Sequence, residues 1–114
     1  MEKDKELESL HQQAEELKKK RQQFYAHYKQ LERMLGGLSF STALEAVKQV
    51  FAISRKGWNG KGLFVTLFKD GLGYFTLMGL QKMFILNYPD GMKYSWVPSI
   101  SDLLAEDWEV INCD

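Results

Sequence analysis

The chain has 114 residues, 45% hydrophobic and 26% charged, and its fifteen basic and fifteen acidic side chains give a formal net charge of zero. This length predicts one ordinary domain, or a small domain with an appendage. The lack of a basic surplus disfavours binding to long nucleic acids, and the apolar runs are too short to span a bilayer. One cysteine, Cys113, and no signal-peptide pattern favour a reducing cytoplasm.

Residues 1–35 predict one long helix, because they contain no glycine or proline and are rich in Glu, Lys, Gln and Leu. A heptad seam, with alternating spacings of three and four, is typical of a coiled coil. The seam comprises Leu7, Leu10, Ala14, Leu17, Arg21, Phe24, Tyr28, Leu31 and Leu35. The alternative is a single amphipathic helix packed on its own globular domain. We predict that residues 1–35 form an oligomerising helix and residues 38–114 a small α+β ligand-binding domain.

The segment after this helix begins with Gly36 and Gly37, which predict a helix stop. Ser41 or Thr42 is then expected to cap a short helix, with Thr42 and Glu45 as a capping box.

Strands are expected at about 51–58 and 62–68. Asn59-Gly60 between them predicts a two-residue hairpin turn, because both central positions of such a turn need positive φ. Residues 69–82 are ambiguous between a turn and a short helix.

The last third predicts a second hairpin, with strands at 83–88 and 92–97 around the turn Pro89-Asp90-Gly91. Ser99 or Ser101 is expected to cap a helical turn, and residues 108–111 are expected to form the closing strand. The pattern therefore predicts an α+β fold with a small antiparallel sheet and short helices behind a long N-terminal helix.

The segment Arg55–Gly62 contains cations, an aromatic ring, an amide and three glycines within eight residues. Arg55 and Lys61 offer charge-assisted donors to phosphate, and Trp58 offers a face on which a base can stack. Its glycines allow backbone N–H groups to approach a ligand. The alternative is a plain turn, with Trp58 packed on a sheet.

A second segment, Trp96–Trp108, offers Ser99 and Asp102 as hydrogen-bonding groups for ribose, phosphate or base edges. The alternative is a helix cap, which their spacing also fits. Trp108 is expected in the core, and Glu106 and Asp107 on a solvated face.

Catalysis and metal binding find little support in the sequence. His11 and His27 both lie in the heptad region, so a nucleophile near the glycine-rich segment lacks a base, and neither histidine has neighbouring ligands for a metal. We expect no catalytic residue, no metal and no cofactor.

Taken together and in this order, the two segments resemble the second type of the phage Thoeris anti-defense family. The resemblance covers residues 38–111. It rests on Phe40, on Ala43 to Lys48, on Arg55 to Gly62 with the strand Leu63 to Val65, and on Trp96 to Ser99, Asp102 and Leu104 to Val110. The heptad helix lies outside it.

The resemblance implies a non-enzymatic sponge that binds a cyclic ADP-ribose-type or cyclic oligonucleotide immune signal without cleaving it. Such a protein acts in the cytoplasm of the infected bacterial host and assembles as a homo-oligomer with pockets between protomers, away from membranes and nucleic acids. The alternative function is an oligomeric coiled-coil structural or adaptor protein of a phage.

Resemblance and side-chain chemistry together assign ligand-binding roles to seven residues. Trp58 would stack on a base, Arg55 and Lys61 would face phosphate, and Trp96 would line the wall. Hydrogen bonds to the ligand would come from Asn59, Ser99 and Asp102.

Overall fold

The computed structural model describes residues 2–49, 51–59, 61–69 and 82–111. Its helices are Glu2–Leu35 (α1), Phe40–Lys48 (α2), Lys56–Asn59 (α3) and Ile100–Leu104 (α4), and its strands are Ala52–Arg55 (β1), Phe64–Lys69 (β2), Lys82–Asn87 (β3), Lys93–Trp96 (β4) and Trp108–Ile111 (β5). These strands form one antiparallel sheet in the order β4-β3-β2-β1-β5. The predicted α+β fold class is confirmed.

The core lies between α2 and one face of the sheet. Ile53 in β1 is paired with Val65 in β2 and with Val110 in β5, so these three side chains point to the same face. All three are buried, and so are Ala43, Ala46 and Val47 of α2, which belong to the same apolar cluster. Arg55, the last residue of β1, and Trp108, the first residue of β5, are paired across the two strands, so their side chains lie on this same face of the sheet.

The helix α1 has two different halves. Residues 4–20 are exposed, and the seam leucines Leu7, Leu10 and Leu17 keep 60–66% of their surface in water. In the other half Tyr28 is buried and meets Phe51 edge-on, with ring centroids 6.0 Å apart. The interpretation of a helix packed on its own domain therefore holds for the C-terminal half. Self-association of the N-terminal half and the division of the chain at residues 35–38 stay predictions.

The C-terminal half of α1 also covers the edge of the sheet that is formed by β5. The Lys29 ammonium donates to the Val110 carbonyl at 3.2 Å, and the Val110 N–H donates to the Glu32 carboxylate at 3.5 Å. Leu38 exchanges two backbone hydrogen bonds with Trp108, at 3.0 and 3.1 Å. These contacts satisfy backbone groups that an open edge strand exposes, and they fix the helix relative to β5.

The predicted cap of α2 was wrong, because the helix begins earlier. Ser39 is the N-cap residue, with extended backbone angles, and its Oγ accepts a hydrogen bond from the Thr42 N–H at 3.3 Å. The predicted helix stop at Gly36 is confirmed, since the Gly36 N–H still bonds to the Glu32 carbonyl and α1 ends at Leu35. Gly37 follows with φ +148°, and a Cβ there would collide with the Glu106 carbonyl.

The predicted two-residue turn at Asn59-Gly60 was also wrong. The two strands pair antiparallel as expected, but β1 ends at Arg55, and the chain then forms the helical turn α3. The Lys56 N–H donates to the Asp107 carbonyl at 3.1 Å, and the Lys61 N–H to the Trp58 carbonyl at 2.8 Å. The first bond continues the β1–β5 register by one residue, and the second closes the helical turn, so tertiary contacts outweigh the local preference for a tight turn.

The other local predictions in the last third are confirmed. The β3–β4 hairpin closes at Pro89-Asp90-Gly91, where the Tyr88 N–H donates to the Met92 carbonyl at 3.0 Å and Gly91 has φ +88°. Ser99 caps α4, and β5 spans Trp108–Ile111. Of the ambiguous segment 69–82, the two end residues belong to β2 and β3, and residues 70–81 lie outside the described part of the chain. No helix within that part has both the length and the apolar character needed to cross a membrane.

Substitution of Tyr28 tests whether α1 belongs to the core. Tyr28→Ala removes a buried ring and should lower the free energy of unfolding by about 3 kcal/mol, measured by urea denaturation. Phe24→Ala, one turn earlier and 48% exposed, is the matched control and should change it by less than about 1 kcal/mol. Equal losses would contradict the placement of Tyr28 in the core and of Phe24 outside it.

Candidate ligand-binding site

The centre of the candidate site is a triangle of tryptophans. Trp58 from α3, Trp96 from β4 and Trp108 from β5 meet edge to face, with centroid separations of 5.4–6.1 Å. Trp108 is fully buried, while Trp58 and Trp96 are half-buried. Edge-to-face pairs at these distances are the favourable geometry for aromatic rings. The triangle therefore joins the two sequence segments through a rigid aromatic wall that is buried on one side.

A pair of ion contacts joins the same two segments beside the tryptophans. Arg55 donates from Nη1 to Asp102 Oδ1 at 3.1 Å and from Nε to Asp107 Oδ1 at 2.9 Å. The register pairs Arg55 with Trp108 across β1 and β5, which brings the guanidinium beside both carboxylates. Hydrogen bonding to Asp107 and to Asp102 raises the pKa of Arg55 above its usual value, despite partial burial.

Asp102 is the buried acceptor of this group, and its side chain is 12% exposed. Its Oδ2 accepts from the Ser99 N–H and the Ser99 hydroxyl, both at 2.9 Å, while Ser99 Oγ accepts from the Asp102 N–H at 3.1 Å. This is a reciprocal capping box at the start of α4. Burial alone would raise the pKa of Asp102, but the hydrogen bonds from Ser99 and Arg55 outweigh it and lower the pKa.

The structure brings five of the seven predicted residues together: Arg55, Trp58, Trp96, Ser99 and Asp102. Lys61 follows α3, with its backbone bonded to Trp58 and its side chain exposed. Asn59 ends α3, and its side chain lies outside the described part of the structure. Ser99 and Asp102 act as a helix cap, so the cap interpretation holds for the chain without ligand.

Sequence reasoning missed two members of the cluster. Asp107 was expected on a solvated face, but it is half-buried and pairs with Arg55. Phe84 from β3 meets Trp96 edge-on at 5.9 Å. The run of four apolar residues from Met83 to Leu86 gives a weak signal for Phe84, because a short continuous apolar run predicts a buried strand. Asp107 carries no such signal, since its partner depends on the β1–β5 register.

The chain also has grooves over other parts of the sheet, one of which shares Phe84 with this cluster. One of about 380 Å³ lies between α2 and the sheet and is lined by Leu44, Lys48, Leu67, Lys82, Met83 and Phe84. Phe84 also contacts Trp96, so this groove adjoins the tryptophan triangle from the other side. Another, of about 550 Å³, lies over β2, β3 and β4.

The chemistry available at the tryptophan cluster is binding chemistry. Half-buried indoles can stack on a planar base. A guanidinium has five N–H donors. The Nε and Nη1 groups of Arg55 donate to the two carboxylates, and among the described residues no acceptor is bonded to Nη2. Within the same residues no cluster of three or more His, Cys, Asp or Glu side chains is arranged to hold a metal ion.

Comparison with known proteins identifies the family. Residues 38–111 match the model of the Thoeris anti-defense 2-like domain. The chain belongs to this family. It is also 35% identical over 85 residues to Thoeris anti-defense 2 of Bacillus phage SP01, and the match covers 66% of this chain and 96% of the phage protein. The predicted resemblance is thus confirmed.

The Thoeris anti-defense 2-like domain of this chain includes every residue of the tryptophan triangle and of the Arg55 ion contacts. The whole of α1 precedes the matched region. The helix therefore lies outside the family domain, although its C-terminal half shares the domain's core through Tyr28.

The free energy of unfolding measured at acidic pH tests the role of Asp102. Its pKa is lower in the folded state, so the carboxylate stabilises the fold above about pH 4, the usual value for Asp. This contribution is lost as pH falls through the lower folded-state pKa. The free energy of unfolding should therefore fall as pH drops from about 5 to 2, and Asp102→Asn should reduce that fall.

At neutral pH, Asp102→Asn should lower the free energy of unfolding by about 1–3 kcal/mol, since it leaves Arg55 without one of its charged partners. Glu106→Gln alters an exposed carboxyl in the same loop and should follow the wild-type curve. Both quantities come from urea denaturation at a series of pH values. Parallel curves for the wild type and Asp102→Asn would contradict this assignment.

Proposed function

We propose that this chain is a sponge for a cyclic nucleotide-type immune signal. In this proposal it binds a cyclic ADP-ribose-type or cyclic oligonucleotide signal in the host cytoplasm, without cleaving it, and so keeps the signal from its receptor. Family membership supports the general role, that of a phage anti-defense protein. The observation that carries the finer proposal is the meeting of Trp58 with Trp96 and of Arg55 with Asp102, which brings base-stacking and charged groups to one place.

The proposed ligand would stack a base on the half-buried tryptophans. Its phosphates would lie near Lys61 and near the Nη2 group of Arg55. Lys61 is exposed one turn away from Trp58, and its charge is free to approach a phosphate. Ser99 and Asp102 already bond to each other and to Arg55. They would contribute by holding Arg55 and α4 in place, and their remaining lone pairs would meet ribose hydroxyls.

Affinity is the main physical requirement of a sponge. Nanomolar binding corresponds to about 12 kcal/mol, and an open aromatic wall on one protomer does not supply that much. Apolar side chains beside Ser99 are unusually exposed: Val97 at 86%, Ile100 at 76% and Leu104 at 76%. Ile100 and Leu104 are four residues apart and share one face of α4. This surface supports the proposal that a second protomer closes the pocket.

A single assay separates a sponge from an enzyme. Purified protein is incubated with cyclic ADP-ribose isomers or cyclic oligonucleotides, free ligand is measured, and the protein is then heat-denatured and the ligand measured again. Depletion followed by intact release is the expected result. Permanent loss of the ligand would indicate an enzyme.

Absence of depletion with every signal would favour the second candidate, a coiled-coil structural or adaptor protein. One observation supports this candidate: residues 4–20 of α1 are exposed, and their apolar seam is left uncovered by the part of the chain that the structure describes.

Trp58→Ala should weaken ligand binding by about 1–3 kcal/mol, because a base stacked on an aromatic side chain contributes on this order. The dissociation constant is measured by calorimetry, with the fold checked by circular dichroism because Trp58 contacts buried Trp108. Trp58→Phe keeps a ring and should recover part of the affinity. Phe24→Ala, an exposed position of α1 outside the candidate site, should leave it unchanged. Full affinity in folded Trp58→Ala protein would place the ligand elsewhere.

A comparison of lysines locates the phosphates. Lys61→Ala should weaken binding by about 1–2 kcal/mol, the range of a hydrogen bond to a charged group. Lys48→Ala is the matched control, since this exposed lysine lines the groove beside α2 instead. The same calorimetric titration measures both. A loss confined to Lys48→Ala would assign the phosphates to that groove.

A further inference from the structure

The exposed half of α1 has a seam that fits a second copy of itself. Residues 4–20 are all exposed, although Leu7, Leu10, Ala14 and Leu17 form a continuous apolar stripe along them. The C-terminal half of α1 packs on the domain, and the same helix continues without a break through residues 4–20. The helix is therefore already nucleated next to the stripe. An uncovered apolar stripe on a preformed helix is a surface for a partner helix.

The charges of this segment are arranged in two blocks. Acidic side chains dominate from Asp4 to Glu16, and residues 18–21 are Lys-Lys-Lys-Arg. A parallel pair would set the basic block of one helix against that of the other, and like charges at this distance repel. An antiparallel pair sets each acidic block against a basic one. The charge order therefore favours opposite directions.

We propose that the N-terminal halves of two α1 helices form a short antiparallel coiled coil about a twofold axis near residue 12. In this register Leu7 packs against Leu17 of the second copy, and Leu10 packs against Ala14 of the second copy. Each layer then combines two apolar side chains. The inference is independent of the proposed ligand and concerns a different surface.

The positions that flank the seam support the same register. With Leu7 and Ala14 at position a of the heptad and Leu10 and Leu17 at position d, Asp4 and Lys18 occupy e positions, and Glu6 and Lys20 occupy g positions. In an antiparallel pair the e positions of the two helices face each other, and so do the g positions. Asp4 then lies opposite Lys18 of the second copy, and Glu6 lies opposite Lys20 of the second copy. By symmetry four ion pairs flank the seam, all of opposite charge. A shift by one heptad loses them and sets Leu10 against Arg21.

The length of the exposed segment matches the overlap that this register requires. Asp4 of one helix lies beside residue 20 of the other, and at Arg21 each helix begins to contact its own domain, with the guanidinium 5.0 Å from the Phe51 ring centre. About 17 residues correspond to roughly 25 Å of helix. The two domains therefore lie at opposite ends of the pair and do not compete for space along it.

Disulfide trapping in the full-length chain tests the direction and register. All variants carry Cys113→Ser, which removes the one native thiol. Leu7→Cys and Leu17→Cys proteins are oxidised separately and as a mixture, and covalent dimers are counted on a non-reducing gel. A crosslinked dimer is expected only from the mixture, because residues 7 and 17 face each other across the pair. The two copies of residue 17 lie about 15 Å apart along the axis.

Two results would overturn the proposal. Dimers from Leu17→Cys protein alone, in a yield equal to that of the mixture, would show parallel helices. If the mixture of Leu7→Cys and Leu17→Cys gives no more dimer than the control mixture of Leu7→Cys and Glu16→Cys, the helices do not pair. Glu16 is the matched control because it is exposed and lies away from the seam. Trapping uses no nucleotide, so its failure leaves the sponge proposal standing, and the reverse also holds.

Charge reversal gives an independent measurement. Lys18→Glu with Lys20→Glu, introduced into both trapping partners, should lower the dimer yield severalfold at low ionic strength. Adding Asp4→Lys with Glu6→Lys should restore it, because the ion pairs re-form with reversed sign. In a parallel pair the first two substitutions would relieve repulsion between basic blocks and raise the yield, which is the opposite result.

Discussion

The carboxylate of Asp102 is the contact on which the rest of the domain depends. One oxygen accepts from Arg55 at the end of β1, and the other accepts from Ser99 at the start of α4. The backbone carbonyl of the same residue accepts from the buried Trp108 indole at 2.9 Å. A charge this little exposed is tolerable only when its lone pairs are satisfied. The bonds to the carboxylate also fix α4 against the sheet, and the bond to the backbone carbonyl orients Trp108 in the core.

This arrangement explains how one set of residues can both stabilise the fold and prepare a binding surface. Trp108 is held from one side by Asp102 and from the others by Phe40, Trp58 and Trp96. The two half-buried indoles therefore have little freedom before any ligand arrives, and ordering costs on binding are small. The same coupling means that substitutions at Arg55 or Asp102 act on stability and on the proposed site together. Lys61, whose side chain is exposed, separates the two effects better.

The sequence predicted those parts of the fold that depend on neighbours in the chain. The turn at residues 89–91, the Ser99 cap and the long helix all follow from local backbone preferences. The Asn59-Gly60 turn failed because Lys56 bonds to the backbone of Asp107, about fifty residues away. The Arg55 contact with Asp107 was missed for the same reason, since strand register is invisible in a single sequence. The two segments were recognised as belonging together only through the family resemblance.

The heptad seam of α1 shows why a regular pattern does not identify its partner. Its spacing is constant from Leu7 to Leu35, but the side chains that fill it change at Arg21. Before that point the seam holds leucines and an alanine, which suit close packing between two helices. Beyond it Tyr28 reaches into the core, and Lys29 on the flank reaches the backbone of the edge strand. The surface that a seam position contacts depends on its side chain and not on the heptad spacing alone. One periodic helix therefore packs on its own domain at its C-terminal end and leaves a self-complementary surface at its N-terminal end.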